Sequence, residues 1–236
     1  MKKYILYILL IPVILFAQKK EKEVFSIIPV QHASFVIESE NVNIFVDPVG
    51  SLTTWKKFPK PEIILITHAH GDHCDKKLVA AIADDSTRIL GAAVAIDVIG
   101  KGEIVKNGES VKIGDINIEV IPAYNTTESK LKFHPKGVGN GYVLSMGGKR
   151  IYIAGDTEDI PEMRSLKNID YAFLPMNEPY TMSVEQAASA VNEFKPKVVY
   201  PYHFRGQNGK SDLEKFKNLI DKDNGVKVVI LKWYDE

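Results

Sequence analysis

The chain holds one cysteine, Cys74, in 236 residues, so no intrachain disulfide framework supports the fold. It also lacks an excess of charge of either sign: 30 Lys and Arg stand against 30 Asp and Glu, and no basic stripe marks a surface for nucleic acid, which is not an expected partner. No apolar run reaches the roughly 20 residues that a membrane-spanning helix requires. The run from Tyr4 to Phe16 is shorter, follows Lys2 and Lys3, and precedes the small residue Ala17. A charged start, a short apolar stretch and a small residue at its end are the pattern of a secretory signal peptide. Residues 1–17 are therefore expected to be one, with an uncleaved anchor as the alternative, and the protein is expected to be exported, periplasmic or extracellular, with no stable span after cleavage. Low-complexity linkers and short-period repeats are absent too. What remains, residues 18–236, is ordinary in composition, with 45% hydrophobic residues, and long enough for a substantial core in one domain.

Hydrophobic patterning divides this domain into strands and helices. Short β-rich runs at Val24–Val30, Ser34–Glu38 and Val42–Val46 suggest a meander. Glu62–Ile66 reads as a buried strand, followed by helices at Lys76–Ala83 and Ala92–Ile99 around a strand at Arg88–Leu90. Strands are expected at Glu103–Lys106, Ser110–Ile113 and Ile116–Ile121, then at Gly141–Met146 and Arg150–Ala154 across Gly147-Gly148. From Tyr171 the pattern becomes βα: strands at Tyr171–Leu174, Val198–Tyr200 and Val226–Leu231 alternate with helices at Val184–Phe194 and Asp212–Ile220. Ser183 and Gln186 form a capping box at the start of the first of these helices. Strands followed by βα units, twice over, imply an α/β (α+β) four-layer αββα sandwich, with halves near 24–135 and 136–236 sharing one core.

Three strand ends carry the chemistry. The strand Ile63-Ile64-Leu65-Ile66 runs into Thr67-His68-Ala69-His70-Gly71-Asp72-His73, which places three of the six histidines and one carboxylate in six consecutive positions. Imidazole and carboxylate are ligands for zinc and other first-row divalent metals. Four ligands are too many for one tetrahedral ion that keeps a position open, so the set divides better between two neighbouring ions, with His68 and His70 on one and Asp72 and His73 on the other, the latter pair at the start of a helix. A second strand ends in Ala154-Gly155-Asp156, where a carboxylate can bridge two cations and glycine permits close backbone approach. A third ends in His203.

These groups resemble the metallo-β-lactamase superfamily: H-x-H-x-D-H is complete as His68, His70, Asp72 and His73, the later aspartate matches Asp156, and the last histidine matches His203. The resemblance implies a hydrolase with a small-molecule substrate and two divalent ions, zinc first, manganese or iron otherwise. Gln31-His32-Ala33-Ser34-Phe35 and Val46-Asp47-Pro48 look like the branch containing N-acyl phosphatidylethanolamine phospholipase D and ascorbate-6-phosphate lactonase. The implied reaction is attack of metal-activated water on an ester-type bond, phosphodiester or lactone, with Asp72 also orienting the nucleophile. One departure stands out. Relatives carry a histidine about where this chain has Asn125, a poor zinc ligand but an acceptable one for harder metals through its oxygen. His134, nine residues on, can replace the missing ligand, contact substrate, or lie on the surface. His32 and Asp47 are candidates to brace the ligating imidazoles, and Tyr180 or Asn177 to touch substrate. Lys136–Gly141 reads as a lid or substrate loop, and Trp55 and Phe58 as a flap or as core. A di-iron redox protein and a metal-binding scaffold without hydrolytic activity on the same fold are the other classes the pattern admits.

Overall fold

The structure, a computed structural model, describes residues 25–234; the expected signal peptide lies outside the described residues. Six strands form the first sheet in chain order: β1 (Phe25–Gln31), β2 (Ser34–Ser39), β3 (Asn43–Val46), β4 (Ile63–Ile66), β5 (Arg88–Gly91) and β6 (Glu103–Ile104). The first three form an antiparallel meander, and β3 to β6 run parallel. Parallel neighbours need crossovers, and helices α1 (Leu52–Trp55), α2 (Lys76–Ile82) and α3 (Ala93–Ile99) occupy them. The second sheet contains β7 (Ser110–Ile113), β8 (Ile116–Ala123), β9 (Gly139–Met146), β10 (Lys149–Ile153), β11 (Tyr171–Pro175) and β12 (Val198–Tyr202). A short hairpin, β13 (Arg205–Gly206) and β14 (Gly209–Lys210), stands apart, and β15 (Lys227–Val228) closes the second sheet beside β12. Helices α4 (Pro161–Arg164), α5 (Val184–Phe194) and α6 (Leu213–Leu219) belong to this half.

Period-two alternation explains the layers. In β4, Ile63 and Leu65 join the core between the sheets, whereas Ile64 and Ile66 face α2 and α3 with Leu78, Val79 and Ile96. Phe35 and Ile37 of β2 point inward in the same way, and Val36 points to the helix layer. Strands covered on both faces read as continuous apolar runs, which is why Ile63-Ile64-Leu65-Ile66 shows no alternation in sequence. The capping box forms as expected, with Ser183 Oγ accepting from Gln186 N–H and Gln186 Oε1 accepting from Ser183 N–H. The four-layer αββα architecture is thus present, two sheets flanked by helices.

Several expectations need correction. The sheets divide between β6 and β7, near residues 105–109, and not at 135, because Asn107-Gly108 crosses from one sheet to the other instead of closing a hairpin within one. Asp72 and His73 do not begin a helix. They lie in a turn closed by His73 N–H and Cys74 N–H on the His70 carbonyl, and α2 starts only after Asp75 caps Leu78 N–H. Lys136–Gly141 is no lid: Gly139 and Gly141 lie in β9, where a Cβ would come within 2.9 Å of Ala123 O and 2.8 Å of Ala154 O. The last strand stops at Val228, because the chain must then turn to bury Trp233, whose carbonyl accepts from His32 N–H. Trp55 is core, its ring 4.9 Å from that of Phe45 and tilted 45° to it.

Candidate metal centre

Most of the ligand candidates follow strands at one edge, and His134 reaches it from the loop between β8 and β9. Asp47 follows β3, His68 follows β4, Asn125 follows β8, Asp156 follows β10, His203 follows β12, and His32 occupies the β1–β2 turn. The carboxyl ends of parallel strands are where open α/β sheets place their sites. Two backbone hydrogen bonds tie the sheets together here: His203 N–H to the His32 carbonyl, 3.1 Å, and Asn140 N–H to the Thr67 carbonyl, 2.8 Å. His32, Asp47 and His203 all adopt positive φ, at 53°, 44° and 44°. Such backbone is costly for non-glycine residues and gathers at functional sites. Gly155 has φ 66°, and a Cβ there would stand 2.8 Å from Asn140 O, so strand-Gly-Asp requires its glycine.

All six histidines of the chain converge on this edge, with Asp47, Asp72 and Asp156 among them. His68, His70 and His134 each offer a nitrogen within 4.8 Å of the others, as do His68, His73 and Asp156, and His32, Asp72 and His203 through one ligand atom each. His68 Nε2 lies 3.0 Å from His70 Nδ1, and His203 Nε2 lies 2.9 Å from His73 Nε2. Two nitrogens on one zinc at 2.0–2.1 Å stand roughly 3.3 Å apart at the tetrahedral angle. Asp156 faces both groups: Oδ2 is 3.2 Å from His134 Nε2, while Oδ1 is 3.5 Å from His73 Nε2 and 3.6 Å from His203 Nε2. Asp72 Oδ2 lies 3.4 Å from both His203 Nε2 and His32 Nε2.

The outer nitrogens are held by the protein. His73 Nδ1 bonds Asp47 Oδ2 at 2.7 Å, and His68 Nδ1 is 3.0 Å from Thr67 Oγ1. Asp47 also accepts from Thr67 N–H and Oγ1–H, both at 2.7 Å. His134 Nδ1 lies 3.1 Å from the Tyr180 carbonyl, which can only accept, so the hydrogen at Nδ1 points there and Nε2 is turned toward Asp156. His134 Nε2 is buried without a hydrogen-bond partner, beside a carboxylate, as is Asp156 Oδ1. Lone pairs crowded together in this way call for a cation between them, and the donor set (imidazole and carboxylate) suits zinc, manganese or iron. The residues therefore fit a pair of divalent ions.

The electrostatics favour the same protonation states. Burial pushes His68 and His203 below the ordinary histidine range, and His70 down as well. Burial alone would raise Asp156, but His203, His73 and His134 outweigh it and hold it well below the usual carboxylate range. Asp72 is low for a similar reason, its hydrogen bonds to His203 and His32 overcoming burial. Neutral imidazoles and ionised carboxylates are what metal binding demands. His73 is the exception: burial opposes its charge, yet Asp156 and Asp47 raise it to about 9, so a cation at Nε2 would have to displace a proton.

His134 is only 6% exposed and does not lie on the surface. Asn125 braces this loop through its nitrogens, while its Oδ1 is buried without a hydrogen-bond partner. Its Nδ2 donates to the carbonyls of Tyr180 (2.7 Å) and Lys130 (3.0 Å), and its N–H donates to the His134 carbonyl (2.8 Å). Sequence reasoning missed Glu158, two residues after Asp156, which straps this loop. Its Oε2 accepts from the N–H groups of Thr126 and Thr127, and its Oε1 from Thr127 Oγ1 and Gln186 Nε2, with Lys130 Nζ at 3.2 Å. Burial would raise the Glu158 pKa, but these donors, led by Thr127 and Thr126 N–H, lower it to about 2. A carboxylate depressed on folding stabilises the fold above its unfolded pKa, near 4.5, and that contribution fades as pH falls through about 2. Glu158→Gln is expected to cost about 2–3 kcal/mol at pH 7 and much less at pH 3; urea midpoints at the two pH values check this.

A cleft of about 220 Å³ opens over the centre, lined by His32, His70, Asp72, His134, Asp156 and His203 together with Phe133, Asn177, Tyr180 and the exposed Arg205. Asn177 is buried and accepts from Thr181 Oγ1–H, while Tyr180 packs edge-on to Phe133 at 5.0 Å. Cys74 is packed, its thiol near the Ala95 carbonyl and pushed up to about 11 by burial.

Fold and centre together define a protein of the β-lactamase superfamily, and the chain belongs to it: the model described as "Beta-lactamase superfamily domain" matches residues 26–203. Within it, the chain is a member of the UPF0173 metal-dependent hydrolase family. A UPF0173 metal-dependent hydrolase of Pyrococcus furiosus is 33% identical over 222 residues, covering 85% of this chain and 93% of its own. A candidate metal-dependent hydrolase of Parabacteroides distasonis, solved by crystallography, superposes with a TM-score of 0.81 at 46% identity, covering 87% of this chain and 92% of its own. Igni18, a metallo hydrolase of Ignicoccus hospitalis, gives a TM-score of 0.73 at 25% identity, over 88% and 94%. No helix among the described residues is long and apolar enough to cross a membrane.

Proposed function

We propose that the protein is an exported hydrolase of small molecules that uses two divalent ions, zinc first, to cleave an ester-type bond, phosphodiester or lactone. One observation carries the two-ion reading: the two oxygens of Asp156 face different ligand groups, Oδ2 toward His134 and Oδ1 toward His73 and His203. His68, His70 and His134 would hold one ion, Asp72, His73 and His203 the other, with Asp156 between them. When bound, such ions polarise a carbonyl or phosphoryl oxygen and make water nucleophilic near neutral pH. The chain's own residues set the geometry. Asp47 and Thr67 fix His73 and His68, and the Tyr180 carbonyl fixes His134. Asp72 is exposed at the cleft mouth, where it can orient the attacking water, and His32 holds it from behind while Tyr234 Oη holds His32 Nδ1 at 2.7 Å. Phe133 and Tyr180 narrow the cleft on the substrate side.

The test is turnover of bis(4-nitrophenyl) phosphate and of simple lactones by the mature protein reconstituted with zinc or manganese, beside the chelated protein. Metal-dependent turnover of either class supports the reading. Stoichiometric metal with no turnover of any ester-type substrate favours the scaffold alternative.

A further inference from the structure

We infer that Arg205, assisted by Lys210, forms an anion-binding site at the rim of the metal cleft, so that the natural substrate carries a phosphate or carboxylate beside the bond that is cleaved. Arg205 lines the cleft, and its Cζ lies 4.3 Å from the Tyr234 ring centroid. Lys210 Nζ lies 5.6 Å from the same ring. Two cations thus lie against one aromatic ring, a favourable arrangement for each, and neither forms an ion pair with a carboxylate among the described residues. Arg205 and Lys210 are also direct partners across the β13–β14 pair, and like charges held this close repel unless an anion joins them.

The cations are also held in place. Tyr234 is pinned by His32 and packs edge-on against Phe204 at 4.9 Å. The β13–β14 hairpin pairs Arg205 with Lys210, and Gln207 N–H donates to the Glu178 carbonyl at 3.1 Å. Gly206 lies so close to that carbonyl that no Cβ fits. Ser211 N–H then closes the hairpin on the Phe204 carbonyl at 2.8 Å. Glu178, in the loop on which the hairpin packs, has its carboxylate 3.9 Å from Lys130 Nζ. Asp72 and Asp156, the carboxylates within the cleft, belong to the metal ligand set. A planar guanidinium that lines a cleft and meets no carboxylate among the described residues suits bidentate binding of phosphate or carboxylate.

That the anion belongs to a substrate rests on the hydrolase reading; that Arg205 binds anions does not. Calorimetry on the zinc-loaded protein with phenylphosphonate and phenylacetate tests the site directly and separates phosphate from carboxylate. Arg205→Met is expected to weaken the better probe at least tenfold, Arg205→Lys less, and Lys210→Met by a few-fold. Hydrolysis of 4-nitrophenyl hydrogen glutarate relative to 4-nitrophenyl acetate tests the substrate claim, and this preference is expected to fall at least tenfold in Arg205→Met. Zinc content and melting temperature verify that each variant is folded. Unchanged probe affinity in a folded, zinc-loaded Arg205→Met, or no binding of either probe by the wild type, overturns the site. Arg205-dependent binding without ester turnover keeps the site and counts against the hydrolase reading.

Discussion

Asp156→Ala is expected to abolish hydrolysis, lowering kcat/KM by at least about a thousandfold, and to reduce bound metal from two ions per chain to near none. The carboxylate is nearly buried and stands between imidazoles from three separate segments, those of His73, His134 and His203. Alanine removes the only buried negative charge shared by both ligand groups, so each ion loses a ligand and the cluster loses its main counter-charge. The loss of a positioned, charge-stabilising group that touches the reacting centre costs on the order of a hundred- to a thousandfold by itself, and the loss of the ions adds to it. Elemental analysis and turnover of a reconstituted sample check both parts. Full activity with the metal lost would separate catalysis from the ions.

Asp47→Ala has the second largest expected effect, and it acts through His73. Asp47 is fully buried and accepts three hydrogen bonds, from Thr67 N–H, Thr67 Oγ1–H and His73 Nδ1–H. Removing one partner of a buried, hydrogen-bonded ionic pair costs about 3–5 kcal/mol, because the other is left uncompensated. Its φ of 44° adds strain for alanine that asparagine tolerates better. Denaturant midpoints of the metal-free protein are expected to fall accordingly, further for Asp47→Ala than for Asp47→Asn. In the reconstituted protein, groups that brace a ligating imidazole are worth about 10–100-fold in metal affinity, so competition with a chelator is expected to show a loss of that size. A Asp47→Ala protein as stable as the wild type, with unchanged metal affinity, would contradict this role.

Much of this centre is legible in the chain because its ligands cluster at strand ends. His68, His70, Asp72 and His73 fall within one turn of a buried strand, and Asp156 and His203 follow apolar runs whose ends the two-sheet packing brings to the same edge. The Ser183–Gln186 capping box is equally local, so sequence alone specifies it. What is not legible depends on distant partners. Whether His134 points inward is decided by the Tyr180 carbonyl, 46 residues away, and by Glu158, which straps the loop before it. The sheet boundary is not legible because an Asn-Gly turn looks alike whether it closes a hairpin or crosses between sheets. The end of the last strand depends on the burial of Trp233, a tertiary demand that strand-forming residues at Val229 and Ile230 do not announce. Arg205 carried a faint signal, a cation two residues after a strand-end histidine, but only the stacking on Tyr234 gives it meaning.

The most direct test is metal content per chain, measured by elemental analysis of the mature protein after reconstitution with zinc and exhaustive dialysis, beside His134→Ala. The expected result is about two ions in the wild type and about one in the variant, because His134 completes the first ligand group while Asp72, His73, Asp156 and His203 still hold the second. One ion or none in the wild type, or two in His134→Ala, would contradict a two-ion centre in which His134 takes the place that Asn125 leaves empty.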